Sequence, residues 1–297
     1  MAIVDKLSEA ADLLRASEDY RVLGRLRARD QFCEDDGSSK KIGIVLDVET
    51  TGLNHAADEI LELGMVKFEF SLDGRVFRIL DTFNQLRQPK DPIPAEITQL
   101  TGITDDMVAG KSIDLKEVAA FVEEAVVIIA HNAAFDRKFC ERFSDCFVHR
   151  AWACSVTEIE WRQEGYEGSR LGYLLMGAGL FHAGHRAVED CHALLEILAR
   201  PLPKSGEPAL KRLLDTARKT TVRIWAEYTP YETKDALKAR GYRWNAGDDG
   251  KPKSWWKDVP EDLAEAELSY LRQEIYGRDA DILTVRITTF DRFSERI

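Results

Sequence analysis

Long apolar runs are missing from this 297-residue sequence. The longest, such as Val126–Ala130 and the glycine-interrupted Leu171–Leu180, fall short of the roughly 20 residues that cross a bilayer, so no membrane partner is expected. The opening Met1-Ala2-Ile3-Val4-Asp5 lacks the basic start and apolar stretch of a signal peptide. Cysteine is sparse. The five thiols (33, 140, 146, 154 and 191) form no CxxC pair and no disulfide-like spacing. A scattered, odd number of them fits a reducing compartment, and a cytoplasmic location is expected. Positive charge is short as well: the formal net charge is −11. That argues against a protein that coats nucleic acid by bulk electrostatics. It leaves room for an enzyme that gathers carboxylates around a cation and lets the cation meet a phosphate. No internal repeat is visible.

What is present is enough apolar material, 44% of residues, for one medium domain and a smaller one. Residues 1–40 read as an N-terminal helical segment. One apolar stripe (Leu7, Ala10, Ala11, Leu14) and a second (Val22, Leu23, Leu26) flank Ser17-Glu18-Asp19-Tyr20, which predicts a helical hairpin over 4–30. Residues 41–200 read as the main domain. Strands are expected at Ile42–Val48, Glu59–Phe70 and Arg75–Leu86, the last two joined by a turn carrying Asp73-Gly74. Helices at Ala95–Leu100 and Leu115–Glu124, a buried strand at Val126–Ala130, and helices at Ala133–Arg142, Leu171–Ala178 and His185–Leu198 follow. The fold class is α/β: a mixed sheet, antiparallel strands first and parallel strands after, flanked by helices. Residues 201–218 read as a linker, rich in proline from Pro201 to Pro208, and a helix. Residues 219–297 read as a small α+β domain.

Asp47-Val48-Glu49-Thr50-Thr51 ends the first strand of the main domain. Carboxylates at i and i+2 of a strand share a face. There they repel unless a cation sits between them. Asp136 follows a buried strand, in the first turn of a helix, where α/β folds collect ligands. Asp190 lies early in an apolar-striped helix, five residues after His185. Each has an ordinary reading taken alone: a solvated strand end, a helix N-terminal charge, a hydrogen-bonded histidine. His131 and Asn132 read as ordering the loop before Asp136. His55, His149, His182 and His192 have no partner pattern.

Together the blocks Leu46–Leu53, Ala130–Asp136 and His185-Arg186-Ala187-Val188-Glu189-Asp190 resemble the DEDDh exonucleases, the DnaQ-like 3′–5′ family of the ribonuclease H-like fold, in order and separation. The segment Ile93–Thr104 resembles that family's loop after the third strand. The resemblance covers about residues 42–200. It implies phosphodiester hydrolysis at nucleic-acid 3′ ends, releasing nucleoside monophosphates, with two Mg²⁺ or Mn²⁺ ions as cofactors. Hard cations want oxygen ligands, and the family would use Asp47, Glu49, Asp136 and Asp190 as metal ligands. His185 would be the general base; imidazole titrates near neutrality. Thr50, Thr51, Gly52 and Leu53 would approach the terminal nucleotide, with Asn132 and Phe135 also on the substrate side. Ile97, Gly102 and Ile103 would line the base pocket.

Residues 219–257 hold four of the six tryptophans, and nine Lys/Arg against five Asp/Glu, a local net of +4. Gly241-Tyr242-Arg243-Trp244 followed by Ser254-Trp255-Trp256 resembles an uncharacterised αβ module with a Gly-x-Arg-Trp signature, appended to DNA-metabolism proteins. Basic residues among aromatics suit single-strand binding, with Arg243, Trp244, Lys251, Lys253 and Trp255 as candidates. Against that, Trp225 and Trp244 are expected in the core. Three functions are carried: a 3′–5′ exonuclease on single-stranded 3′ ends, with DNA favoured; an exoribonuclease; and a non-catalytic polymerase- or nucleic-acid-binding subunit. A DNA polymerase is the less favoured partner, because residues 219–297 look folded rather than tail-like.

Overall fold

The computed structural model describes residues 2–297. Two compact units divide the chain, one through Thr216 and the other from Ala217.

The first unit opens with α1 (Ala2–Arg15), then an extended segment holding β1 (Gly24–Arg25). Its main sheet follows: β2 (Lys41–Thr50), β3 (Ile60–Phe70) and β4 (Val76–Leu86) run antiparallel as a meander. The helices α2 (Ala95–Thr101), α3 (Asp105–Val108) and α4 (Leu115–Val122) lead to β5 (Val127–Ala130). After α5 (Ala133–Phe143) comes β6 (Trp152–Cys154). β5 and β6 extend the sheet in parallel, in the order β4-β3-β2-β5-β6. The unit closes with α6 (Leu171–Gly177), β7 (Leu180–Phe181), α7 (Ala187–Leu198) and α8 (Ala209–Ala217). This is the expected mixed sheet. β2 lies at its centre, covered on both faces, so Ile44, Val45 and Leu46 are wholly buried and the strand reads as a continuous apolar run rather than an alternation.

Asp114 caps the N-terminus of α4, accepting from the N–H groups of Lys116 and Glu117 at 2.8 and 3.3 Å. One close approach brings the site together. Helix α7 lies against β2 and β3 over Gly64. A Cβ at Gly64 would stand 2.5 Å from the backbone of Ala187 and Val188. The missing side chain therefore sets how near the helix comes to the sheet.

The expected N-terminal hairpin is corrected. α1 is helical, but Val22, Leu23 and Leu26 lie in extended chain. β1 pairs in parallel with β7; Gly24 N donates to Gly179 O at 2.9 Å and Leu26 N to Phe181 O at 2.8 Å. Gly24 inside the apolar stripe costs a helix about 1 kcal/mol, and β7 offers carbonyls that a helix would not use. β6 escaped sequence reading because three residues carry no period of their own. The segment from Pro201 to Pro208 is not helical, but neither is it loose. Leu202 is buried, and Glu164 accepts the N–H groups of Lys204 and Ser205 at 3.2 and 3.0 Å.

The second unit contains β8 (Thr221–Ala226), α9 (Lys234–Ala239), β9 (Arg243–Trp244), β10 (Trp255–Pro260), α10 (Ala264–Tyr270) and β11 (Leu283–Ile287). Its antiparallel sheet has the order β11-β8-β10-β9. One sheet face packs Ile224 and Ala226 with Leu237, Tyr242, Val259, Leu271 and Ile275. Among the described residues no helix is long and apolar enough to cross a membrane.

Candidate active site

Alternation along β2 puts Asp47 and Glu49 on one face, the face on which α7 lies. Opposite them in register on β3 stand Gly64 and Glu62. Because Gly64 lets α7 approach, Asp190 in its first turn reaches the pair. One carboxylate oxygen each of Asp47, Glu49 and Asp190 lie within 4.8 Å of one another. Asp136, buried in the first turn of α5, is a close electrostatic neighbour of Asp47. Its Oδ1 accepts the Val48 N–H at 3.3 Å, which ties it to the strand between the other two carboxylates.

The start of α7 is fixed by a pair that sequence reading missed. Glu62 is wholly buried; it accepts from the Arg186 guanidinium at 2.7 Å and from the Ala187 N–H at 3.0 Å. The available signal was one glutamate inside the apolar run Ile60-Leu61-Glu62-Leu63. Asp190 is held from two sides. His185 N donates to its Oδ2 at 2.9 Å, and the His182 ring contacts its Oδ1. His182 therefore has a partner that its sequence context did not show. His185 adopts a left-handed backbone, φ 69°, uncommon for a residue with a Cβ. Its side chain is exposed at the cleft. His131 does order its loop: its Nδ1 lies 2.8 Å from the Ser155 hydroxyl. Burial lowers its pKa to about 4, so it is neutral.

The electrostatics show a site built for a cation. Burial, and then the carboxylates of Asp136, Asp190 and Glu49, push Asp47 well above the usual range. Burial first, with Asp190 and Glu62 next, pushes Glu49 up to about 8. Burial also raises Asp136. Converging hard oxygen donors fit a divalent ion, and a metal-dependent family and an acidic cluster agree. The raised pKa values set a pH dependence. The folded form holds protons on these groups that the unfolded chain releases near its ordinary carboxylate range, 4.5 for Glu. The contribution of these groups to stability in EDTA is therefore full below that range and is lost as pH rises through about 8. Melting temperatures in EDTA should drop between mildly acidic and mildly alkaline buffer, and Mg²⁺ should restore them at the alkaline end. Melting that ignores both pH and Mg²⁺ would contradict this electrostatic account.

The other expected residues spread more widely. Asn132, with φ 106°, lines the same cleft as Asp47, Asp190 and His185. Phe135 packs against Phe139 in a tilted pair with ring centroids 4.8 Å apart. Thr50 is buried, its hydroxyl donating to Gly52 O at 2.6 Å. Thr51 Oγ1 accepts the Glu59 N–H at 2.9 Å. A side chain at Gly52 would strike Asp58 at 2.5 Å. Leu53 is 84% exposed, an apolar side chain offered to solvent. Ile103 does not line an open pocket. It is wholly buried in a satellite core with Leu61, Ile93 and Val108, against which Ile97 packs. Gly102 caps α2 in the left-handed region at φ 70°, which suits glycine.

In the second unit the candidates do not share a face. Adjacent strand residues point oppositely: Trp244 meets Trp255 edge-on at 5.5 Å, while Arg243 lies 5.5 Å over Trp256. Trp255 packs against the core. Trp244 is 51% exposed, unlike the buried Trp225, so only one of those two core expectations holds. The Lys251 ammonium meets the Ile297 carbonyl, and Lys253 is exposed.

This arrangement, a mixed sheet with an Asp-x-Glu strand end, an aspartate after the next parallel strand, an aspartate in the first turn of a covering helix and a histidine just before that helix, defines a carboxylate nuclease of the ribonuclease H-like class. Residues 44–198 match the RNase_T family model, described as an exonuclease. The chain belongs to that exonuclease family, in its DnaQ-like DEDDh group. A DNA polymerase III PolC-type from Caldanaerobacter subterraneus subsp. tengcongensis is 33% identical over 226 residues, 71% of this chain and 15% of that protein. Another from Clostridium perfringens is 43% identical over 171 residues, 55% of this chain and 11% of that protein. The chain thus spans only a small part of these relatives. E. coli ExoI in a zinc-bound complex with single-stranded DNA has the same fold: TM-score 0.51 at 16% identity, covering 79% of this chain and 71% of that one.

Proposed function

We propose that this exonuclease removes nucleoside monophosphates stepwise from 3′ ends, acting on DNA ahead of RNA, with two Mg²⁺ or Mn²⁺ ions. The observation that carries the reading is the convergence of Asp47, Glu49 and Asp190 within 4.8 Å, with Asp136 beside them and His185 at the cleft. In the reading, the four carboxylates hold the ions. Bound there, the ions would polarise the scissile phosphate and lower the pKa of the attacking water. His185 takes the proton of that water. Gly52 and Thr51 bring backbone and hydroxyl near the terminal sugar, and exposed Leu53 wedges against its base. Similarity to PolC-type DNA polymerases supports DNA. The occupied set of five positions weighs against a silent binding subunit.

Digestion of 3′-labelled single-stranded DNA, blunt duplex DNA and RNA, side by side with each metal, tests this. Mononucleotide release should be metal-dependent and faster on DNA. Faster release from RNA would make the protein an exoribonuclease, and no release from any substrate would end the exonuclease reading.

A further inference from the structure

The cleft that contains Asp47, Asp190 and His185 continues past them, with a volume of about 820 Å³, inside the range of roughly 300–1,000 Å³ typical of ligand sites. Its continuation is apolar and is used by none of the chemistry above. Leu23, Tyr173, Met176 and Phe181 line it, and residues Tyr173 and Phe181 are 45% and 40% exposed. A single exposed ring is ordinary. Here, however, two rings converge on the cleft that holds the carboxylates, and cations border them.

Those cations come from the extended segment that pairs with β7. Its ten residues Tyr20–Arg29 carry four arginines and no acid, in a chain whose net charge is −11. Arg21 donates to the Met176 carbonyl at 2.7 Å, which anchors the segment to α6. Arg25 lies 5.5 Å over the Phe181 ring. Arg27 is exposed. The segment lies outside residues 44–198 that match the family.

We propose that Tyr173 and Phe181, walled by Leu23 and bordered by Arg21 and Arg25, form a stacking ledge for the unpaired nucleotides that precede the scissile phosphate. Bases stack on the rings while the arginines meet phosphates, a sequence-tolerant mode of single-strand binding. Inside a duplex both faces of a base are covered by its stacked neighbours, so the ledge favours single-stranded DNA. The inference rests on the exonuclease reading and names its substrate form.

The test measures the affinity of the full chain, with Mg²⁺, for a fluorescent phosphorothioate oligothymidylate, which resists cleavage. Replacing Tyr173→Ala and Phe181→Ala together should raise Kd by about fivefold or more, since stacking contributes that much per base on alanine substitution. An affinity within about twofold of wild type, at the scale of measurement error in Kd, would overturn the ledge. If the paired variant melts early, the exposed Arg25→Ala decides instead. Its log Kd against log salt should be shallower by about 0.7 for each lost phosphate contact on a single strand, and an unchanged slope would overturn the proposal. Wild-type cleavage of thymidine 5′-(p-nitrophenyl phosphate) with Mn²⁺ probes the carboxylates alone. If that ester is cleaved and affinity does not respond, only the ledge fails; if it is not cleaved, the exonuclease reading itself fails.

Discussion

Replacing Asp47 by alanine is expected to cut metal-dependent mononucleotide release by on the order of 10³-fold or more, the scale of several kcal/mol of transition-state charge stabilisation. Asp47 is the carboxylate that the others crowd. Asp136, Asp190 and Glu49 all raise its pKa, so it stands where their fields overlap, and a cation bound there is held most strongly through it. The folded state should not suffer. Burial and repulsion make the ionised Asp47 unfavourable without metal, so the alanine variant should melt at the same or a higher temperature in EDTA, while Mg²⁺ raises its melting temperature less than that of the wild type. Parallel assays of nucleotide release and thermal melting check both halves. Activity within tenfold of wild type would place the catalytic centre elsewhere.

His185→Asn is expected to lower the rate by roughly 10²–10⁴-fold, the usual contribution of a positioned general base. Asparagine is chosen because residue 185 has φ 69°, a region that Asn tolerates better than Ala. The contact from residue 185 to Asp190 runs through its backbone N–H and survives the change. The variant should therefore keep its Mg²⁺-dependent melting and lose turnover, a combination that loss of a metal ligand would not produce. Imidazole in the buffer should restore part of the rate to His185→Asn and none to Asp47→Ala. Rescue of neither, together with lost metal response, would make His185 a structural residue.

The reach of the sequence differs from residue to residue. Asp47, Glu49, Asp136, His185 and Asp190 stand out because each sits next to a marked local feature: a strand end, a helix start, a loop before an apolar stripe. Glu62 and Arg186 carry no such mark, although their buried pair fixes the start of α7. Glu62 stands opposite Glu49 across a strand pair, which is a matter of register, and Arg186 meets it only through the packing of α7. Ile103 has the spacing of a pocket residue but is in a core, because the chain turns at Gly102. The stripe Val22, Leu23 and Leu26 is a helix by period and a strand by circumstance.

The sequence by itself determined the two strand-borne carboxylates, the order of the three motif blocks, the mixed sheet and the divalent-ion chemistry that oxygen ligands favour. These depend on spacing and side-chain type, which are local. The tertiary structure alone decided which distant groups meet: Gly64 admitting α7, Glu62 holding Arg186, and an arginine-rich segment becoming the wall of a cleft. Those contacts join residues up to 155 positions apart, as Arg21 and Met176 are. No periodicity encodes them, because they follow from how the sheet and helices pack rather than from any segment's own preference.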